Sequence, residues 1–384
     1  MQAAEFINSK SGKIVHTARC YLAYIPNPLE PHFDLSLSIV KELSAADRAL
    51  SELAGIARTL PNPHLLIGPF LRREAVLSSR IEGTQASFSD LIFFEAARLR
   101  EKEVPDVHEV SNYVQALEYG LVRLSTLPVS LRLIREIHQR LMAGARGESQ
   151  TPGEFRRSQN WIGPAGCTLS DATFVPPPVE EMHNALDGFE KYLHEPSEMP
   201  ALIRLSLIHY QFEAIHPFLD GNGRVGRLLV SLLLCAEKLL PQPLLYLSAY
   251  FERYRDDYYR YLLAVSQKGA WEQWIKYFLK AVAIQSRDAI QRIDQLLTLR
   301  QAYRTRMQQA RASALLLQLI DDLFSYPAIT NRAVSERMTI TPRSAQLNIN
   351  KLVERGIIQE ATGRQRHRVY VASEIVGIIE RQET

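Results

Sequence analysis

Two long apolar runs, ALIRLSLIHYQFEAI at 201–215 and GRVGRLLVSLLLCAEKLL at 223–240, constrain the fold of this chain more than any other feature. Both are apolar on nearly every side, which predicts helices at the centre of a helical core. Pro200 opens the first run and Pro241 stops the second. Proline at those places interrupts no hydrogen bond that the helix needs. Between the runs stands IHPFLDGNGR, and a second arginine follows at 227. Charged groups wedged between buried helices are costly unless they are partnered, so this segment is expected to hold a ligand.

The same period runs through most of the chain, which predicts a mostly α protein. Helices are expected over 36–59 and 69–82, joined by the breaker LPNPH at 60–64, and again over 106–126 and 128–142. The stretch 151–178 loses that period to glycine and proline, and its pieces NWIG and ATFVP predict a small hairpin. Residues 286–311 are rich in Gln and Arg with Ile and Leu at helical spacing, as in a connecting helix. Beyond them, helices are expected over 312–324, 331–337 and from Thr341, a capping residue followed by Pro342 and closed by Gly356. Two strand-like pieces, IIQEA and RVYVA, flank TGRQRH. That order resembles a winged helix-turn-helix. The chain thus divides into an N-terminal helical region (1–105), a core (106–285), a connecting helix (286–311) and a winged helix-like domain (312–384).

Composition narrows the class. No apolar run approaches the roughly 20 residues of a membrane span. The formal charge of +3 over 384 residues does not demand a polyanionic partner. Cys20, Cys167 and Cys235 have no paired spacing, which argues against a disulfide framework and a zinc site. The first residues lack the pattern of a secretory signal, so a cytoplasmic protein is expected.

A loop entering a helix offers unpaired N–H groups and the positive end of the helix dipole to an anion. Gly221 and Gly223 let the backbone turn and approach a ligand, and the Asn222 amide adds a donor. Arg224 and Arg227, three apart, share one side of the first turn and suit phosphate oxygens. Asp220 suits Mg²⁺ between phosphates, and His216 is the side chain suited to take a proton near neutral pH.

These residues resemble the Fic family motif, His-Pro-Phe-x-Asp/Glu-Gly-Asn-Gly/Lys-Arg-x-x-Arg, at every position from His216 to Arg227. The resemblance implies a Fic-type helical bundle with a β-hairpin flap. It also implies a protein adenylyltransferase, a nucleotidyltransferase that moves AMP from ATP to a Ser, Thr or Tyr hydroxyl of a target, including itself. By that resemblance His216 is the catalytic base and Asp220 the ligand of Mg²⁺ or Mn²⁺. Gly221, Asn222 and Gly223 form the anion hole. Arg224, Val225, Gly226 and Arg227 complete the nucleotide site, with Arg224 and Arg227 on the outer phosphates and Phe218 as packing. The hairpin at 160–175 becomes the flap that docks the target protein by strand addition. In RDDYYRYLLAVSQKG, Tyr259 is the ring against the base, and Ser266 stands where some relatives carry Asn.

A second stretch, SSRIEG, places Ser78 and Glu82 on one helix face with Gly83 where a helix ends. A carboxylate in a last turn opposes the dipole and needs a cation. The stretch resembles the family's inhibitory motif, here in a helix of about 69–83. The resemblance pairs Glu82 with Arg227 in the nucleotide site and implies autoinhibition. Two other activities stay open at this point: removal of AMP at the same site, and a DNA-binding regulator whose Fic domain senses nucleotide. Arg343, Arg364, Arg366, His367 and Arg368 suit DNA phosphates, while the nearly balanced charge of the C-terminal unit equally suits a protein partner or a homodimer.

Overall fold

The computed structural model describes residues 1–6, 9–30, 34–60, 64–97, 105–144, 151–308 and 313–381. The breaker at 61–63 and the end of the expected connecting segment at 309–311 lie outside them. The chain opens on an antiparallel pair, β1 (Gly12–His16) and β2 (Leu22–Pro26), in a register that sets Gly12 against Pro26. Then come α1 (Leu37–Thr59), α2 (His64–Ile81), α3 (Phe88–Ala97), α4 (Pro105–Arg123), α5 (Leu131–Leu141) and α6 (Val179–His194). The two apolar runs form α7 (Ala201–Ile215) and α8 (Asn222–Ala236), followed by α9 (Ser248–Arg253), α10 (Arg255–Lys268) and α11 (Trp271–Gln308). The C-terminal unit comprises α12 (Ala314–Ser325), β3 (Ala328–Thr330), α13 (Asn331–Arg337), α14 (Pro342–Glu354), β4 (Gln359–Glu360), β5 (Val369–Val371) and α15 (Ser373–Glu380).

The mostly helical architecture is the one the period dictates, and α7 and α8 occupy its centre with nearly every residue buried. Local chemistry starts several of the surrounding helices. Ser36 Oγ accepts from the Ile39 N–H at 3.3 Å, and Ser130 Oγ accepts from Leu133 at 3.4 Å, which satisfies donors that a helix start leaves orphaned. Thr341 caps α14 in the same way, with Pro342 at its first turn as its sequence predicts. Helix α1 packs along α11, and α6, α8 and α11 surround α7.

Several elements differ from expectation. α2 begins at His64 rather than Pro69, so proline sits inside the helix. Burial of Leu66 and Phe70 in the core outweighs the proline's local preference. α11 is a single helix through residues 285 and 286, where core and connector were expected to meet, because Val282, Gln285, Ser286 and Ala289 are all buried there. The pair β1 and β2 and the helices α3, α6 and α15 were not anticipated. β2 is tied to the rest of the core through the Tyr24 N–H, which donates to Val175 O at 2.8 Å. The hairpin expected from NWIG and ATFVP reduces to one bridge, Ile162 with Phe174.

In the C-terminal unit the sheet runs β3-β5-β4, all antiparallel, so Ala328–Thr330 adds a strand to the two that were expected. Arg343, Arg364, Arg366, His367 and Arg368 are exposed, as is Leu347 on α14. The unit docks on α2, α3 and α11. Arg72 of α2 binds Glu95 of α3 at 2.6 Å and lies over the Tyr326 ring at the end of α12. Arg292 of α11 donates to the carbonyls of Ile378, Ile379 and Arg381 and so caps the end of α15. The helix carrying Ser78 is thereby held from behind by the C-terminal unit. Among the described residues no helix is long and apolar enough to cross a membrane.

Candidate active site

α7 ends at His216, which adopts a left-handed backbone with φ 50° and ψ 62°. A side chain in that region costs energy, so the surroundings must impose it. Arg156, fully buried, donates from Nε to His216 O at 3.0 Å, and Asn160 Nδ2 donates to Phe218 O at 2.7 Å. Asn222 closes the loop on itself: its Oδ1 accepts the Phe218 N–H and its Nδ2 donates to Phe218 O, each at 2.8 Å. The Phe218 ring stacks on His138, with centroids 3.7 Å apart. His138 Nδ1 accepts the Gly153 N–H at 2.8 Å, which leaves the proton on Nε2 to donate to Asp220 O at 3.0 Å. Burial pushes this imidazole down to about 4, so it stays a neutral strut.

The His216 ring is oriented from its own helix. Nδ1 lies 3.2 Å from Glu213 O, a bond that requires the proton on Nδ1 and leaves the Nε2 lone pair open. Burial also pushes this imidazole down to about 4, so it is neutral at physiological pH.

The anion-binding face is built from α8. Gly221 sits at φ 79°, where a Cβ would also come within 2.9 Å of Met142 Sδ. Its N–H is taken by Asp220 Oδ1 at 2.6 Å, and the Val225 N–H is taken by Gly221 O. The N–H groups of Asn222, Gly223 and Arg224 have no partner among the described residues. The donors therefore start one residue later than the Gly221–Gly223 hole read from sequence. The Asn222 amide, expected to reach phosphate, is instead consumed by Phe218. The Val225 side chain, assigned to the nucleotide site, belongs to the core.

Glu82, one residue past the end of α2, reaches this face. Its Oε1 accepts from Arg227 Nη2 at 2.6 Å, while Arg227 Nε and Nη2 bond Ser78 Oγ and Ser78 O, each at 2.9 Å. Burial opposes the charge on both partners of the pair, but each overrides that cost for the other: Glu82 is held below its usual value and Arg227 above. A Cβ on Gly223 would fall 2.3 Å from Glu82 Oε1, so the carboxylate lies directly over the N-terminus of α8. Gly83, at φ 97°, makes the turn that brings it there. Arg224 points elsewhere: it is buried against Glu109 at 3.3 Å and Asp220 at 3.5 Å, and it does not line the cavity described next. Its expected reach to outer phosphates is thus occupied by two carboxylates.

Glu82, His216, Gly223 and Arg227 line a cavity of about 850 Å³ with Tyr259 and the flap residues Trp161 and Ile162. Tyr259 presents a 40% exposed ring to it and its hydroxyl contacts Ile81 O at 3.4 Å. Ser266 also lines the cavity, but its hydroxyl is tied to Tyr210 at 2.9 Å. In the flap, Ile162 both donates to and accepts from the 173–174 backbone, and Trp161 and Ile162 are exposed. Asp220 is not among the residues that line this cavity; its side chain is half exposed and contacts Arg224. Among the described residues no group of three metal-ligating side chains gathers. One carboxylate plus ligand phosphates and water is nonetheless a donor set that Mg²⁺ accepts, so Asp220 fits that ion.

Sequence reasoning missed Arg156, Asn160, His138, Glu109 and Glu213. The first two sit in an irregular polar stretch with no period to read. His138 carried a signal, since it is a polar side chain on a helix face otherwise filled by apolar residues, whereas Glu213 shares α7 with Arg204, Ser206, His209 and Gln211 and does not stand out.

Residues 40–122 match the Fic/DOC family N-terminal model, and residues 128–234 match the Fic/DOC family model, which spans the whole loop just described. The chain belongs to the Fic family. The protein adenylyltransferase Fic of Drosophila ananassae is 30% identical over 136 residues, covering 35% of this chain and 25% of that protein. That of Drosophila virilis is 31% identical over 136 residues, covering 35% and 26%. The chain spans about a quarter of the length of these curated relatives. Among solved structures, a Fic family protein from Desulfovibrio desulfuricans G20 aligns over 88% of this chain and 97% of its own, at TM-score 0.56 and 17% identity. Fic-1 from C. elegans aligns over 67% and 73%, at TM-score 0.50 and 20% identity. These likenesses establish a Fic fold.

Proposed function

We propose that this chain transfers AMP from ATP to a hydroxyl of a target protein, and that Glu82 keeps it at low activity at rest. The observation that carries the reading is the meeting, in one cavity lined by the flap, of His216 with its open Nε2, Gly223 with its N–H unpaired among the described residues at the start of α8, and Arg227. Relatives named as protein adenylyltransferases support it. In the transfer, the target oxygen bonds to the α-phosphorus, the bond to the β-phosphate bridging oxygen breaks, and pyrophosphate leaves. The hydroxyl proton goes to His216 Nε2. A base pushed down to about 4 is weak, but a bound polyphosphate adds negative charge that raises it toward working range. The donors of residues 222–224 hold the developing charge, and Tyr259 offers a ring to the adenine. Mg²⁺ or Mn²⁺, when bound at Asp220, neutralises phosphate charge. The extended flap, with Trp161 and Ile162 exposed and lining the cavity, supports docking of an extended target segment.

In this reading Glu82 occupies Arg227 and covers Gly223, so nucleotide enters without a seat for its outer phosphate, and the α-phosphate is misaligned. The test is His216→Ala with α-labelled ATP. Label transfer to protein should fall about 10²- to 10⁴-fold while nucleotide binding persists. Transfer at the wild-type rate would remove His216 from the chemistry.

A further inference from the structure

Glu74, Ser78 and Glu82 recur at every fourth position along α2 and just past its end, so the three share one face. Ser78 and Glu82 grip Arg227. Glu74 grips the neighbouring helices instead. Its Oε1 accepts from the Tyr113 hydroxyl of α4 at 3.1 Å, and its two oxygens take the hydroxyl and the N–H of Ser248 at the start of α9. Glu74 is buried, and Ser78, Tyr113 and Ser248 are fully so. The hydrogens of this set run in one direction. An arginine only donates, so Arg227 Nε gives its hydrogen to Ser78 Oγ. The Ser78 hydroxyl in turn bonds the Tyr113 hydroxyl, and Tyr113 gives its hydrogen to Glu74. A carboxylate is the group that can end such a chain, because it accepts without having to donate. Burial pushes this carboxyl up, while the Ser248 hydroxyl and the charge of Arg227 pull it down.

Resting on the reading that Glu82 restrains the site, we propose that Glu74 is a positioning residue of that restraint: it seats α2 against α4 and α9 and, through Tyr113 and Ser78, turns Arg227 toward Glu82. Glu74 does not line the nucleotide cavity, so it acts through α2 and Arg227 rather than on the ligand. A helix moves as a rod, and a seat two turns before Glu82, about 12 Å along the axis, sets where that carboxylate arrives. While every member of the buried chain is bonded, one arrangement is favoured. Without the terminal acceptor, Tyr113 and Ser248 are left with unpaired donors, and a shift of α2 that admits water relieves them. The same shift draws Glu82 off Arg227 and frees the guanidinium for phosphate.

The experiment is self-labelling of the full chain from α-labelled ATP in wild type, Glu74→Ala, Glu82→Gly and the double variant. Members of one hydrogen-bond network couple strongly enough to shift an equilibrium about twofold or more. Glu74→Ala should therefore label at least about twofold faster than wild type, and the double variant no faster than Glu82→Gly alone. A merely structural loss lowers the rate in both backgrounds. Glu74→Gln keeps an oxygen for Tyr113 and Ser248 and should label near the wild-type rate. No rise in Glu74→Ala, or the same rise on top of Glu82→Gly, overturns the proposal, as does a rise in Glu74→Gln equal to that of alanine. If Glu74→Ala does not fold, Tyr113→Phe, which breaks the chain and keeps the ring, takes its place under the same two criteria. Should Glu82→Gly itself show no gain, the restraint reading falls and the role of Glu74 with it; a gain there without one in Glu74→Ala overturns the role of Glu74 alone.

Discussion

Replacing Glu82 by glycine strips Arg227 of the one carboxylate at ion-pair distance among the described residues and leaves the guanidinium, 2% exposed, bonded among them to Ser78 alone. Two unit charges about 4 Å apart interact by roughly 4 kcal/mol at the effective dielectric of a protein site. Glu82 is 35% exposed, so solvent screening reduces its share to about 1–2 kcal/mol. Two consequences follow from the same number. Without nucleotide the variant should be less stable by about that amount, because a buried cation is left uncompensated. With nucleotide the outer phosphate no longer competes with a carboxylate, and transfer should rise at least about tenfold, equivalent to roughly 1.4 kcal/mol in barrier. The assay is incorporation of label from α-labelled ATP into the protein itself, with thermal unfolding measured beside it with and without a non-hydrolysable analogue. Glu82→Gly combined with His216→Ala should be inactive, since the gained activity runs through the same base. An unchanged rate together with an unchanged unfolding temperature would show that the pair neither restrains the site nor supports the fold. A loss of AMP removal in place of a gain in transfer would reverse the direction assigned to the enzyme.

The remaining predictions concern the scaffold. His138, His209 and His216 are held neutral at about 4, 3 and 4, so between there and the unfolded value near 6.5 the unfolded chain binds more protons. Their contribution to stability is present above pH 6.5 and lost as pH falls toward 4, visible as urea midpoints that drop with acidification; a flat profile over that window would refute it. Asn222→Ala removes the two bonds that Asn222 makes to Phe218 and leaves the buried Phe218 N–H unpaired, while the bond from Asn160 to Phe218 O remains, which should cost about 2–3 kcal/mol in urea unfolding; a loss below about 0.5 kcal/mol would mean the loop does not depend on that amide. Deletion from residue 313 uncovers the back of α2, so the amides of α2 should exchange faster by hydrogen-exchange mass spectrometry, and unchanged exchange would show that docking leaves α2 unaffected.

How much of this was legible without the fold differs by kind of information. The helix period and the two apolar runs determined a mostly α protein with α7 and α8 at its centre, because burial on every side leaves a helix no other place. The segment between them announced an anion site, because glycines, arginines and a histidine at a helix entry have few other uses. SSRIEG pointed to a carboxylate in need of a cation, but only the packing of α2 against α8 brings Glu82 to Arg227, across 145 positions of sequence. Tertiary structure alone decided that the Asn222 amide turns inward, that Arg224 faces Glu109, and that the open N–H groups begin at residue 222. Each depends on which partner lies within about 3 Å, a distance that no local pattern encodes. The same holds for Glu213, one of several polar residues on α7. Its place in the wall of a cavity beside Arg227 was set by the pairing of two helices whose own sequences required only that they be buried.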